Sequence, residues 1–152
     1  MDYSKLKKSE LVDMVRYFVR QEQVGKYAIK DSDMLAGAMR SNITRWGQEN
    51  FVVVFLDNQN KIIQTQIMFI GTINRSICSP REVFIEALKC EAVKIAIGHN
   101  HPSGDIKPSV EDIAVTKRFI EAGKLLSIEV LDSIVFKQDE HFSMFAESVC
   151  DF

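Results

Sequence analysis

The feature that most restricts what this chain can fold into is a strand that passes into a helix through a short, stiff polar loop. Residues 92–98, AVKIAIG, are apolar and partly β-branched, as a buried strand requires. Residues 109–126, SVEDIAVTKRFIEAGKLL, repeat apolar positions at helical spacing. Between them lies HNHPSGDIKP, whose Pro102, Gly104 and Pro108 let it turn sharply without becoming loose. A strand joined closely to a helix is the building unit of a layered α/β sheet.

The flanking sequence extends the pattern. ENFVVVFLD, residues 49–57, is β-branched and aromatic and reads as a buried strand. NQN is a turn, and KIIQTQIMFIG, residues 61–71, is its hairpin partner. In SPREVFIEALKCE, Ser79 is the expected N-cap, Pro80 occupies the first helical position and Glu82 completes a capping box. Val83, Phe84, Ala87 and Leu88 form that helix's apolar face. The helix from Ser109 buries Ile113, Val115, Phe119, Ile120 and Ala122, and Gly123 suits a C-terminal break. SIEVLDSIVF is a last strand, and EHFSMFAES holds one further helical turn. The order β–β–α–β–α–β predicts an α/β sheet with helices on its faces.

A helical lead precedes this core. From Ser9, SELVDMVRYFVRQE places Leu11, Val15, Phe18 and Val19 on one face. This helix is expected either to cover the sheet or to join two copies in a homo-oligomer. A second short helix begins near Ser32 in SDMLAGAMRSNIT, weakened by Gly37. The length of 152 residues suits one domain with a substantial core.

Composition narrows the function classes. A net charge of -2 argues against a dedicated DNA-binding surface, so any DNA binding is expected to be weak. No segment interleaves aromatic and basic residues to stack single-stranded bases. No apolar run is long enough for a membrane span, so no membrane partner is expected, and the first residues lack the apolar stretch of a signal peptide. Cys78, Cys90 and Cys150 lack CxxC spacing, which gives neither a disulfide framework nor a thiolate metal site. A reducing cytoplasm is the expected compartment.

The loop itself carries the chemistry. His99 and His101 are two residues apart, so on an extended chain both imidazoles point to one face and can meet one ion. They stand at the C-terminal end of a strand, where open α/β sheets place their ligands. Asp112 lies in the first turn of the following helix. Two imidazoles and a carboxylate make three ligands and leave a tetrahedral ion one open position for water, the arrangement of a catalytic zinc. The plainer alternative is a polar turn and a capped helix. Asp105 would then serve the turn, and Ser109 with Asp112 would form a capping box. Asp105 is alternatively a carboxylate that orients a metal-bound imidazole.

His99-x-His101, seven residues, then Ser109-x-x-Asp112 resembles the JAMM (MPN+) metalloprotease signature. The wider stretch from Ser79 to Asp132, with HNHPSGD followed by Pro-Ser, is similar to the bacterial RadC family. The resemblance covers residues 30–152 and leaves residues 1–29 as a helical N-terminal extension. It implies a cytidine-deaminase-like α/β/α sandwich with a mixed sheet. His99, His101 and Asp112 would bind zinc, and Ser109 would help hold an oxyanion. The family also needs an upstream glutamate, and Glu49 in QENFVVVFLD matches best. If its strand lies antiparallel beside the histidine strand, the start of one meets the end of the other and Glu49 adjoins the histidines. Glu82, Glu86 and Glu91 are rivals. The first two are committed to a helix and its cap, and Glu91 precedes the histidine strand at its wrong end.

The chain departs from the RadC pattern in two places. Full-length RadC-like proteins carry an N-terminal helix-hairpin-helix module, and no GxG-type hairpin precedes residue 30, which lowers the expectation of duplex binding. The family has Asp-His near the last strand, where this chain has Asp132-Ser133. The function implied is a zinc-dependent metallopeptidase-like amide hydrolase acting on a peptide or protein, with Glu49 as general base. The alternative is a DNA-repair or mobile-element-associated binding module with a metal-organised loop. A two-metal nuclease ranks last, for want of a second carboxylate cluster. Trp46 either lines a substrate groove or packs, and His141 is a surface or tail-packing residue.

Overall fold

The computed structural model describes Lys7, Leu11, residues 24–71 and residues 79–152. The helix expected from Ser9 lies outside these residues, apart from Leu11. The described elements are α1 (Ser32–Arg40), β1 (Asn50–Leu56), β2 (Ile62–Ile70), α2 (Pro80–Lys89), β3 (Lys94–Asn100), α3 (Val110–Leu126), β4 (Glu129–Phe136) and β5 (His141–Ser143). The strands form one mixed sheet in the order β2-β1-β3-β4-β5. β1 runs antiparallel to β2 and β3, β3 parallel to β4, and β5 antiparallel to β4. The architecture is the expected α/β class, with α1 on one face of the sheet and α2 and α3 on the other.

Strand periodicity assigns each side chain to a face. Phe51, Val53 and Phe55 of β1 and Ile95 and Ile97 of β3 pack under α2 and α3, against Val83, Phe84, Ala87, Val115, Phe119 and Ile120. Phe119 stacks on Phe51 with ring centroids 5.6 Å apart and leans on Phe84 at 6.1 Å. The alternate residues Val52, Val54, Leu56 and Ala96 meet Leu35, Ala36, Ala38 and Met39 of α1. Both central strands are buried on both faces, which explains why VVVFL has no polar alternation.

Gly98 lets α1 close on the sheet. A Cβ there would lie 2.5 Å from Met39 Sδ and 2.8 Å from the Ile134 carbonyl oxygen.

Local expectations fail in two places. Ser79 is the N-cap of α2, but its side chain makes no cap hydrogen bond, so the expected capping box is absent. Glu82 is held instead by Arg81 at 2.7 Å. Gly123 does not end α3, which continues to Leu126 and closes on Ser127 in the left-handed region at φ 57°. Gly123 is needed for close packing, since a Cβ there would lie 2.4 Å from the Ile128 carbonyl oxygen. The tail begins with a short strand, β5, before a turn in which the Glu147 N–H bonds the Ser143 carbonyl.

Candidate metal centre

β3 delivers the two histidines. His99 continues the face of Ile95 and Ile97 toward α3, and His101 follows just past the strand end. His99 is buried, with 5% of its side chain exposed, whereas His101 is at 18%. The loop then folds back. Gly104 takes φ +81°, a left-handed conformation that favours glycine, and its N–H bonds the His101 carbonyl at 2.9 Å.

That turn fixes the tautomer of His101. Its Nδ1 lies 2.7 Å from the carbonyl oxygen of Asp105. A carbonyl can only accept, so Nδ1 carries a proton, and Nε2 is the nitrogen that donates to Asp112 when the ring is charged and offers a lone pair when it is neutral. The backbone of Asp105, not its carboxylate, therefore orients the imidazole. The carboxylate accepts the Lys107 N–H at 3.0 Å and shapes the loop.

Asp112 arrives from the first turn of α3, where the helix dipole favours a negative charge. Its Oδ1 is 3.1 Å from His99 Nε2, and its Oδ2 is 3.4 Å from His101 Nε2. The two Nε2 atoms are 2.9 Å apart. Ligand atoms about 2.0–2.1 Å from a tetrahedral zinc stand roughly 3.3–3.4 Å from one another. The imidazole pair is a few tenths of an ångström tighter than such an edge, and each imidazole meets a different oxygen of the Asp112 carboxylate at 3.1 and 3.4 Å. Burial opposes ionisation of Asp112, but hydrogen bonds from His101, His99 and the Ser109 N–H outweigh it and hold the carboxyl far below its usual value. In turn the Asp112 carboxylate raises His101, against the effect of burial.

Ser109 forms the capping box that the plainer alternative anticipates, so the carboxylate that caps α3 is the one that faces the histidines. The Ser109 N–H and O–H donate to Asp112 Oδ2 at 2.7 and 2.8 Å, and Ser109 Oγ accepts the Asp112 N–H at 3.1 Å. Its one hydroxyl proton is thereby engaged.

Glu49 stands where the antiparallel pairing of β1 and β3 leads. Phe51 is opposite His99 in the ladder, and Glu49 precedes the first residue of β1. Its Oε1 lies 4.0 Å from His99 Nε2. Ligand atoms of Glu49, His99 and His101 all fall within 4.8 Å of one another, the spacing of a metal-binding group. The 4.0 Å separation exceeds a tetrahedral ligand edge.

The rival glutamates are elsewhere. Glu82 and Glu86 pair with Arg81 and Lys89 on α2, and Glu91 lies in the turn before β3. Trp46 packs edge-on against Phe136 at 6.2 Å. His141 bonds Ser32 Oγ at 3.1 Å and ties β5 to α1. Ser133 is buried and bonded to Thr116 Oγ1 at 2.8 Å, one helical turn along α3 from Asp112.

Sequence reasoning missed two asparagines. Asn50 and Asn100, each 1% exposed, bond to one another beside the site. Asn100 stands between the histidines, but strand alternation sends its side chain to the other face. The only sequence signal was that a polar residue interrupts a buried strand end.

A mixed α/β/α sheet with a histidine pair at a strand end and a carboxylate on the next helix defines a domain class with the donor set of a metal centre. Residues 29–149 match the family described as the RadC-like JAB domain, and the chain belongs to that family. It is 43% identical over 132 residues to a UPF0758 protein of Bacillus cereus (strain B4264), covering 87% of this chain and 59% of the relative. Identity is 42% over 132 residues to a UPF0758 protein of Bacillus mycoides (strain KBAB4), with the same 87% and 59% coverage. It is also 42% over 141 residues to one of Bacillus cereus (strain AH187), covering 91% and 63%. The chain thus spans only 59–63% of the length of these relatives. No helix among the described residues is long and apolar enough to cross a membrane.

Proposed function

We propose that this domain is a zinc-dependent amide hydrolase acting on a peptide or protein. The observation that carries the reading is the convergence of His99 Nε2, His101 Nε2 and the Asp112 carboxylate at 2.9–3.4 Å, with Glu49 at 4.0 Å. Two imidazoles and a carboxylate favour zinc among the common ions. When bound, zinc supplies a Lewis acid that polarises a carbonyl and makes water a nucleophile near neutral pH.

The chain's own groups do the rest. His99 and His101 present Nε2, the latter with its tautomer set by the Asp105 carbonyl. Asp112 completes the ligand set and is held by Ser109. Glu49 accepts the proton of the attacking water and returns it to the leaving nitrogen, as a general base and then a general acid. Ser109 donates to the oxyanion by rotating its hydroxyl proton off Asp112.

Elemental mass spectrometry of wild type and His101→Ala tests the metal, with about one zinc per chain expected in the first and loss in the second. A peptidase screen then compares wild type with Glu49→Gln, which should keep zinc and lose turnover by at least about 100-fold. Wild-type turnover in Glu49→Gln would remove Glu49 from the mechanism. Salt-sensitive DNA binding by a zinc-loaded protein that cleaves nothing would replace hydrolysis with a binding role.

A further inference from the structure

We propose that Asn100 is a positioning residue that fixes Glu49 relative to the histidine pair. The proposal rests on the reading of Glu49 as the base. Asn100 Oδ1 accepts the Asn50 backbone N–H at 2.9 Å and Asn50 Nδ2 at 2.9 Å. Its own Nδ2 donates to the Gln48 carbonyl at 2.9 Å and the Trp46 carbonyl at 3.4 Å. Asn50 Nδ2 also lies 2.7 Å from the Gln48 carbonyl and 3.1 Å from the Arg45 carbonyl, so its two protons are shared among three acceptors.

These bonds bracket one residue. The peptide plane before Glu49 is held through the Gln48 carbonyl. The plane after it is held twice, through the Asn50 N–H and through the Glu49 carbonyl, which accepts the Gly71 N–H at 2.9 Å. A residue has only two soft backbone dihedrals, and they relate these two planes. Pinning both planes fixes the direction in which the Glu49 side chain leaves the backbone. The pin issues from the residue between His99 and His101, so the base and the ligands share one short rigid frame.

The chemistry demands an amide at position 100. The site needs an acceptor for an N–H and donors for two carbonyls, on a side chain 1% exposed. An aspartate supplies no donors and would set its charge against two carbonyl oxygens. A displacement of about 1 Å at a reacting group can cost about 100-fold in rate.

The test is Asn100→Ala in the full chain, with Asn50→Ser as a milder second variant. Metal content, hydrogen exchange over residues 45–50, and kcat and KM on the peptide found for wild type are measured together. Expected in Asn100→Ala are retained zinc, exchange at the Asn50 amide faster by at least about tenfold, and kcat lower by about 100-fold with KM within about twofold. Asn50→Ser should shift each quantity in the same direction by less. Unchanged exchange at residues 45–50 would overturn the proposal, as would a kcat loss that only tracks loss of zinc. Full turnover in Glu49→Gln would refute the base instead, and the exchange measurement would still decide whether Asn100 holds that segment.

Discussion

The two faces of β3 carry different tasks on alternate residues of one strand. Toward α2 and α3, Ile95 and Ile97 are core and His99 is chemistry. Toward α1, Ala96 and Gly98 are small, and Asn100 holds the segment that bears Glu49. On the proposed reading the first face supplies metal ligands, and the second holds the segment that carries the base. A period of two lets one short strand do both, because neighbours in sequence never share a face.

Breaking the first face at its core should have the largest effect. Phe119 is fully buried and contacts both Phe51 and Phe84. Replacing a buried phenylalanine with alanine typically costs about 3–5 kcal/mol. Denaturant unfolding of Phe119→Ala should show a loss of that size. A loss under about 1 kcal/mol would mean that α2 and α3 close over the cavity.

Breaking the second face should cost less and act differently. In Gly98→Ala the new methyl meets Met39 Sδ and the Ile134 carbonyl oxygen at 2.5 and 2.8 Å. Methionine can move aside, but a carbonyl in the neighbouring strand cannot move without shifting the sheet. Overpacking of this kind costs about 1–3 kcal/mol. A neutral Gly98→Ala in thermal unfolding would show that the α1 layer has slack.

The sequence revealed one face better than the other. His99 and His101 were legible because a two-residue spacing on a strand is a local rule. Glu49 was picked out by the resemblance to the family pattern, and the antiparallel pairing of β1 and β3 sets it beside the histidines. The asparagine clasp was not legible, because it joins residues fifty apart in sequence and an asparagine at a strand end has no fixed local meaning. Gly123 was misread for a related reason: a glycine near a helix end suggests termination, but here it answers the approach of the Ile128 carbonyl. The Ser79 capping box is absent, and Glu82 pairs with its neighbour Arg81. For the asparagines and for Gly123, a contact outside the local pattern decided the outcome.

The ladder between β3 and β4 is irregular at one place, and there the smallest effect is expected. The ladder between β3 and β4 slips between Ile95 and Ile97, so that Val130 and Ser133 are their partners. Asp132 lies in that irregular stretch and is buried. Its carboxylate accepts from Ser143 Oγ at 2.6 Å, the Ser133 N–H at 2.7 Å and the Phe145 N–H at 3.0 Å. Burial nevertheless raises its pKa above the usual carboxylate value, against these donors and nearby His141. The unfolded chain loses this proton near pH ~4, while the folded chain keeps it to higher pH. Between those values the folded state binds more protons, so this group's contribution to stability falls as pH rises. Wild type should therefore gain stability relative to Asp132→Asn as pH is lowered from 7 toward ~4, and the difference should level off below that. Other carboxylates are common to both proteins and cancel in the difference. Paired urea titrations at several pH values give the slope. A slope of opposite sign would mean that the three donors outweigh burial, and that the irregular stretch of β4 is built around a charged Asp132 rather than a neutral one.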